Sequence, residues 1–237
     1  MKTKTDAHLS PVQAVAFDLD GTLVDSAPDI AVALNTALSS EGLRRSELAD
    51  VRGWIGDGPD ALIERALAAQ GQPGEDAARR ARLRAAFDEA TLAAPLADGM
   101  VFPGIGELLR GLHQRLPMVV VTNKPTSLSL AVLDAAGLLH YVSAVFGADQ
   151  PQQRKPAPQL LLAGARSLGL APANLLMVGD GPADMLAAQA AGCPAALVRW
   201  GYGGHQAMPQ LKDVRRIESP AQLLGELLHG REPLLHH

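Results

Sequence analysis

Five short apolar runs, none of them alternating with polar residues, most constrain what this chain can fold into. They cover residues 12–17, 118–121, 144–146, 175–178 and 195–198. A strand with one wet face would alternate, so unbroken runs of this length suit strands covered on both sides. Between and before the later runs lie segments of helical period, over 104–115, 126–136, 158–168 and 182–191. Pro182 and Gly192 mark the limits of the last, proline at its start and glycine just past its end. Strand alternating with helix predicts βαβ units and an α/β fold, a doubly wound and mostly parallel sheet.

Residues 26–95 break that rhythm. No strand is expected there, only Ala-, Leu- and Arg-rich helical pattern over 28–40, 46–51, 60–70 and 75–94, with Gly- and Pro-containing joints at 53–59 and 71–74. An all-helical insert between the first and second strands predicts a second small domain. The expected division is 1–25 with 96–237 for the α/β domain and 26–95 for the helical one, an elongated crossover being the alternative. Arg79, Arg80, Arg82 and Arg84 are expected to form a solvated helix face.

Composition narrows the partners. A net charge of −4 over 237 residues, with 19% charged residues, argues against a dedicated nucleic-acid binder. No run of eighteen apolar residues occurs, so no membrane association is expected. Cys193 is the one cysteine and has no internal disulfide partner, and residues 1–10 are polar, without a signal-peptide pattern. A cytoplasmic protein is expected, monomer or homodimer.

In open α/β sheets, sites form at the carboxyl ends of the strands. Asp18, Asp20 and Thr22 follow the first run, Thr122, Asn123 and Lys124 the second, Lys155 comes after the third, and Asp180 and Asp184 follow the fourth. An aspartate after a strand is by itself an ordinary helix cap or Asx turn. Four segments converging on one edge are not ordinary. Gathered carboxylates repel unless a cation joins them, and hard oxygen ligands suit Mg²⁺ sharing its sphere with a phosphate. A lysine with hydroxyl and amide groups suits a dianionic phosphoryl group. A carboxylate beside them could attack phosphorus and form an acyl phosphate.

Phe17-Asp18-Leu19-Asp20-Gly21-Thr22-Leu23 resembles the first motif of the haloacid dehalogenase-like superfamily of phosphohydrolases. Residues 119–124 resemble its second motif, Lys155-Pro156 its third, and residues 179–184 its fourth, all in the family's order. The helical insert sits where the family carries a helical cap. The resemblance implies that Asp18 is the nucleophile. Asp20 would protonate the leaving alkoxide, then deprotonate water, and its main-chain carbonyl would bind metal. Asp180 would ligate Mg²⁺ together with Asp18, with Asp184 acting from behind these ligands or through water. Thr122 and Asn123 would hold phosphate oxygens, and Lys155 would balance charge. Gly181 departs from the family, which commonly has a small hydroxyl residue there. Asp20 favours phosphoryl transfer over dehalogenation, since attack at carbon needs no acid for an alkoxide.

Within the superfamily the chain resembles the phosphoglycolate phosphatases most, through residues 18–28, 122–125 and 200–203. Residues 52–58 resemble that family's substrate-facing turn, although Gly53, Gly56 and Gly58 could simply punctuate two helices. The implied activity is phosphate release from a small phosphorylated metabolite, 2-phosphoglycolate foremost, with sugar-phosphate hydrolysis or a hexose-phosphate mutase as alternatives. A phospho-receiver module would be about half as long and lack the insert. Arg65 is a candidate for a substrate carboxylate or else a surface arginine. His205 could line the mouth of the site or lie on a surface loop, and Trp54 and Trp200 could border the cleft. Cys193 is expected in the core, and His236 and His237 in a tail.

Overall fold

The computed structural model describes residues 12–72, 76–203 and 214–228. Its elements run β1 (Ala14–Phe17), β2 (Val24–Asp25), α1 (Ala27–Ser40), α2 (Leu48–Trp54), α3 (Pro59–Ala69), α4 (Ala77–Ala93), β3 (Met100–Val101), α5 (Ile105–Leu112), β4 (Met118–Thr122), α6 (Thr126–Ala135), β5 (Ala144–Gly147), α7 (Gln159–Ser167), β6 (Leu175–Gly179), α8 (Pro182–Ala191), β7 (Ala195–Val198), β8 (Arg215–Ile217) and α9 (Pro220–Leu228). Each of the five apolar runs contributes a strand.

The main sheet has the order β5-β4-β1-β6-β7-β8, with every pairing parallel. Its two faces bury different side chains. Val15, Phe17, Val120, Leu176 and Val178 share a cluster with α5, α6 and α9. The intervening residues Ala14, Ala16, Val119, Val121 and Met177 pack with α7 and α8. This two-residue alternation between equally apolar faces is why the strands read as unbroken runs. From β1 the chain travels outward through β4 and β5, then crosses back to β6 on the other side of β1. The crevice at that reversal lies at the carboxyl ends of β1 and β6, where such sheets bind ligands.

Helices α1 to α4 close a cluster of their own, built from Leu34, Leu38, Val51, Ile63, Leu83 and Phe87, to which α6 contributes Leu128. The insert leaves and returns through an antiparallel ribbon, Val24 opposite Val101 and Asp25 opposite Met100. Asp29 fastens the return, its Oδ1 accepting the N–H groups of Ala97 at 2.7 Å and Asp98 at 2.9 Å.

Four elements were not expected from the sequence. β2 and β3 are two residues each, too short to leave a pattern, β8 reads Arg-Arg-Ile at the sheet edge, and α9 is a nine-residue helix that packs Leu223 and Leu227 into the core. The arginine cluster of α4 is also more engaged than a solvated face. Arg79 and Arg82 pair with Glu41, Arg84 with Asp60 and Asp88, and Arg80 lies 3.9 Å from Glu64. Cys193 is buried, as expected, and burial pushes its thiol up to about 11. Among the described residues no helix is long and apolar enough to cross a membrane.

Candidate active site

The polar ends of β1, β4 and β6 meet in the crevice. Asp18 follows β1 directly, and its N–H donates to Val178 O at 2.9 Å, extending the β1–β6 pairing to the point where Gly179 leads into Asp180. Asp18, Asp180 and Asp184 are all buried and each offers a carboxylate oxygen within 4.8 Å of the others. Asp184 lies in the first turn of α8, where it accepts the Gly181 N–H at 3.0 Å.

Lys155 reaches this group from the segment after β5. Its ammonium donates to Val121 O at 2.9 Å and Asp184 Oδ1 at 2.5 Å, and pairs with Asp18 Oδ1 at 2.9 Å. Those three contacts match the three donors an ammonium carries. Asp180 is oriented by donors on both oxygens, Thr22 Oγ1 at 3.1 Å and the N–H groups of Tyr202 at 2.7 Å and Gly203 at 3.0 Å. Gly21 stands between these parts with φ +84°, and a Cβ there would lie 2.7 Å from Asp180 Oδ2. Both the left-handed backbone and the close approach require glycine.

Three carboxylates and one ammonium leave two negative charges uncompensated in a dry place. Burial and the Asp184 charge push the Asp18 carboxyl up to about 6 against the pull of Lys155. Burial and the Asp18 charge push Asp180 up to about 6. Burial also raises Asp184, opposed by Lys155. Burial disfavours the Lys155 ammonium, but its acidic neighbours outweigh this and keep it charged. An all-oxygen donor set with a net negative charge fits a hard divalent cation.

Asp20 is held apart from that triad. Lys124 Nζ donates to its Oδ1 at 2.9 Å and its Oδ2 at 2.8 Å, and Ser26 Oγ donates to Oδ1 at 2.5 Å. Ser26 occupies the N-cap of α1 yet makes no capping bond, because its hydroxyl is spent on Asp20. Tyr202 supplies the cap instead, its hydroxyl accepting the Ala27 N–H at 3.0 Å while donating to Asp25 Oδ1 at 2.8 Å.

A cleft of about 340 Å³ opens above the acids, lined among others by Asp18, Asp20, Arg52, Arg65, Asp180 and Tyr202. Arg52 pairs with Asp25 at 3.3 Å and lies over the Tyr202 ring, 5.5 Å from its centroid. Arg65 is held by Trp54 O at 2.6 Å and by Asp57. A smaller recess of about 40 Å³ lies alongside, where Thr122, Asn123 and Lys124 face Ile55, Leu62 and Phe87 of the helical insert.

The sequence-derived residues therefore separate into groups. Asp18, Asp180, Asp184 and Lys155 share one contact cluster, while the carboxylate of Asp20 faces Lys124. Thr122 and Asn123 line the recess together with Asp18. Trp200 packs against the core and donates its indole N–H to Thr22 O at 3.0 Å, bracing the loop after β1. Sequence reasoning missed Lys124 as the partner of Asp20 and the double duty of Tyr202. A lysine two residues past β4, at the same sheet edge as Asp20, was the available signal for the first. His205, His236 and His237 lie outside the described residues.

Residues 12–192 match the family model for haloacid dehalogenase-like hydrolases. The chain is 39% identical over 234 residues to the phosphoglycolate phosphatase of Escherichia coli (strain K12), covering 92% of this chain and 91% of that one. It is 37% identical over 235 residues to the phosphoglycolate phosphatase of Pectobacterium atrosepticum, covering 97% and 100%. The crystal structure of a predicted phosphoglycolate phosphatase from Haemophilus somnus 129PT superposes with a TM-score of 0.82 at 30% identity, covering 91% of this chain and 97% of that one.

Proposed function

The chain belongs to the haloacid dehalogenase-like hydrolases, and on that premise we propose that it is a Mg²⁺-dependent phosphatase for a small phosphorylated metabolite, 2-phosphoglycolate foremost, working through an aspartyl phosphate on Asp18. That it is a phosphoric monoester hydrolase follows from its relatives. The observation that carries the finer reading is the buried group of Asp18, Asp180 and Asp184 around one lysine, with Asp20 held separately at the same cleft.

Asp18 and Asp180 would hold the Mg²⁺ with the main-chain carbonyl of Asp20, and Asp184, whose two oxygens accept from Lys155 and the Gly181 N–H, would act from behind them or through water. When bound, the ion supplies charge relief between the acids and the incoming dianion. The Asp18 carboxylate attacks phosphorus, and the bond from phosphorus to the ester oxygen breaks. Asp20 gives its proton to the departing alkoxide. Asp20 then takes a proton from water, whose oxygen attacks phosphorus and releases inorganic phosphate and the free Asp18 carboxylate. Lys124 donates to both oxygens of Asp20 and keeps that carboxyl at the cleft, apart from the three acids. Lys155 balances charge on the phosphoryl group, and the end of β4 at Thr122 and Asn123 holds its oxygens. Helices α1 to α4 act as a cap that shields the reaction from bulk water.

A panel of phosphorylated metabolites compared by kcat/KM, with Mg²⁺ and with EDTA, tests this reading. Mg²⁺-dependent turnover is expected, highest for 2-phosphoglycolate and independent of any bisphosphate activator. Turnover undiminished by EDTA, or strict dependence on a sugar bisphosphate, would refute it. Asp18→Asn is expected to abolish turnover while leaving the fold intact by circular dichroism.

A further inference from the structure

The side chain of Asn123 is committed to main chain on two separate parts of the protein. Its Nδ2 donates to Gly56 O at 2.9 Å, in the turn between α2 and α3, and to Lys155 O at 3.1 Å. Its Oδ1 accepts the Lys155 N–H at 2.7 Å. Asn123 is 4% exposed, so each of these bonds would be costly to leave unmade. The residue therefore grips both backbone groups of Lys155 and spends its other donor on the helical insert. Lys155 is the residue whose ammonium stands between Asp18 and Asp184.

The same turn touches Asn123 a second time. Gly58 has φ +85°, and a Cβ there would lie 2.9 Å from the Asn123 carbonyl oxygen. The turn thus abuts the main chain of Asn123 and bonds its amide. Two residues further on, Asp60 meets Arg154, the neighbour of Lys155.

We propose that Asn123 is a positioning residue that couples docking of the helical insert to placement of the Lys155 ammonium. Its carboxamide acts as a clamp between the insert and the lysine, beyond any contact its main chain makes with phosphate. When the turn at Gly56 is seated, the Asn123 amide is fixed in plane and Lys155 is held against the acids. When the turn lifts, the amide loses one anchor and Lys155 loses its register. Chemistry is thereby tied to a closed insert. The proposal rests on the phosphatase reading above.

A double-mutant cycle with Asn123→Ala and Gly58→Ala tests it, read by steady-state kinetics on 2-phosphoglycolate with saturating Mg²⁺ and by amide hydrogen exchange. Each single variant is expected to lose about tenfold in kcat with a smaller change in KM, and the double variant to lose no more than the worse single one. Exchange at residues 154, 155 and 157 should quicken in Gly58→Ala, although that glycine lies on the insert, and Gly58→Ala should add nothing in the Asn123→Ala background. Asn123→Asp keeps the acceptor for the Lys155 N–H but turns a charged oxygen toward two carbonyls, so it should lose as much as Asn123→Ala. Should Asn123→Ala fail to fold, Asn123→Ser carries the same cycle. Losses that multiply in the double variant, or exchange near Lys155 untouched by Gly58→Ala, overturn the coupling. Absence of turnover in the unaltered protein would instead defeat the phosphatase reading and leave the exchange result to judge the clamp.

Discussion

Asp20 and Asp18 stand two residues apart and live in different surroundings. Asp18 shares a dry pocket with two other acids, whereas both oxygens of Asp20 are met by Lys124. Those settings suit a nucleophile beside a cation and a proton carrier beside the leaving group. Asp20→Asn should therefore cost alkyl phosphates about 10²–10⁴-fold in kcat and aryl phosphates with good leaving groups much less. Equal losses on both would contradict the acid role. Cys193 offers a check on the interior. With its thiol pushed up to about 11, only about one molecule in a thousand carries thiolate at pH 8. Ellman's reagent should label it slowly in the folded protein and promptly in guanidinium. At this scale the positions of Asp18, Asp20, Asp180 and Lys155 were legible, because each follows an apolar run at the edge where such sheets carry their chemistry. The hydrogen-bond partners of Asn123 and Lys124 were not. Which way an amide or ammonium points depends on neighbours distant in the chain, Gly56 for one and Asp20 for the other.

Elements meet through a few charged joints. Asp60, in the first turn of α3, takes Arg84 from α4 and Arg154 from the segment before Lys155. Burial alone would raise its carboxyl, but the two arginines outweigh this and hold it below the ordinary value of 3.8. A depressed carboxyl binds fewer protons folded than unfolded, so its contribution is complete above that ordinary value and fades as pH falls through its folded one. Solvent reaches Asp60, which limits the contribution to about 1 kcal/mol. Asp60→Asn should lower the melting temperature by a few degrees at pH 7 and by progressively less toward pH 3. A deficit constant across that range would show that the ion pairs do not stabilise the fold. The long helices and central strands were legible from period and run length. β2, β3 and β8 were not, since two or three residues held by their neighbours carry no period of their own.

For the molecule as a whole, three buried acids with one lysine are a standing cost that a divalent ion would relieve. Mg²⁺ at about 100 times its dissociation constant should stabilise the fold by about 2.7 kcal/mol. A chain of this size would then melt several degrees higher. Asp180→Asn should abolish that gain, and an unchanged melting temperature on adding Mg²⁺ to the unaltered protein would count against the ion's site. The α/β class was legible because both faces of every central strand are apolar, whereas the insert's contacts with the rest of the chain, Leu128 in its apolar cluster, Arg154 on Asp60 and the Asn123 amide on Gly56 O, are announced by no composition.

The ribbon of β2 and β3 has one more consequence. Because Val24 lies beside Val101, the two cut ends of the insert are neighbours. A foreign segment of any length could be spliced between them without stretching the sheet or its register. The parallel sheet and its polar edge thus keep their geometry whatever number of residues lies beyond that ribbon.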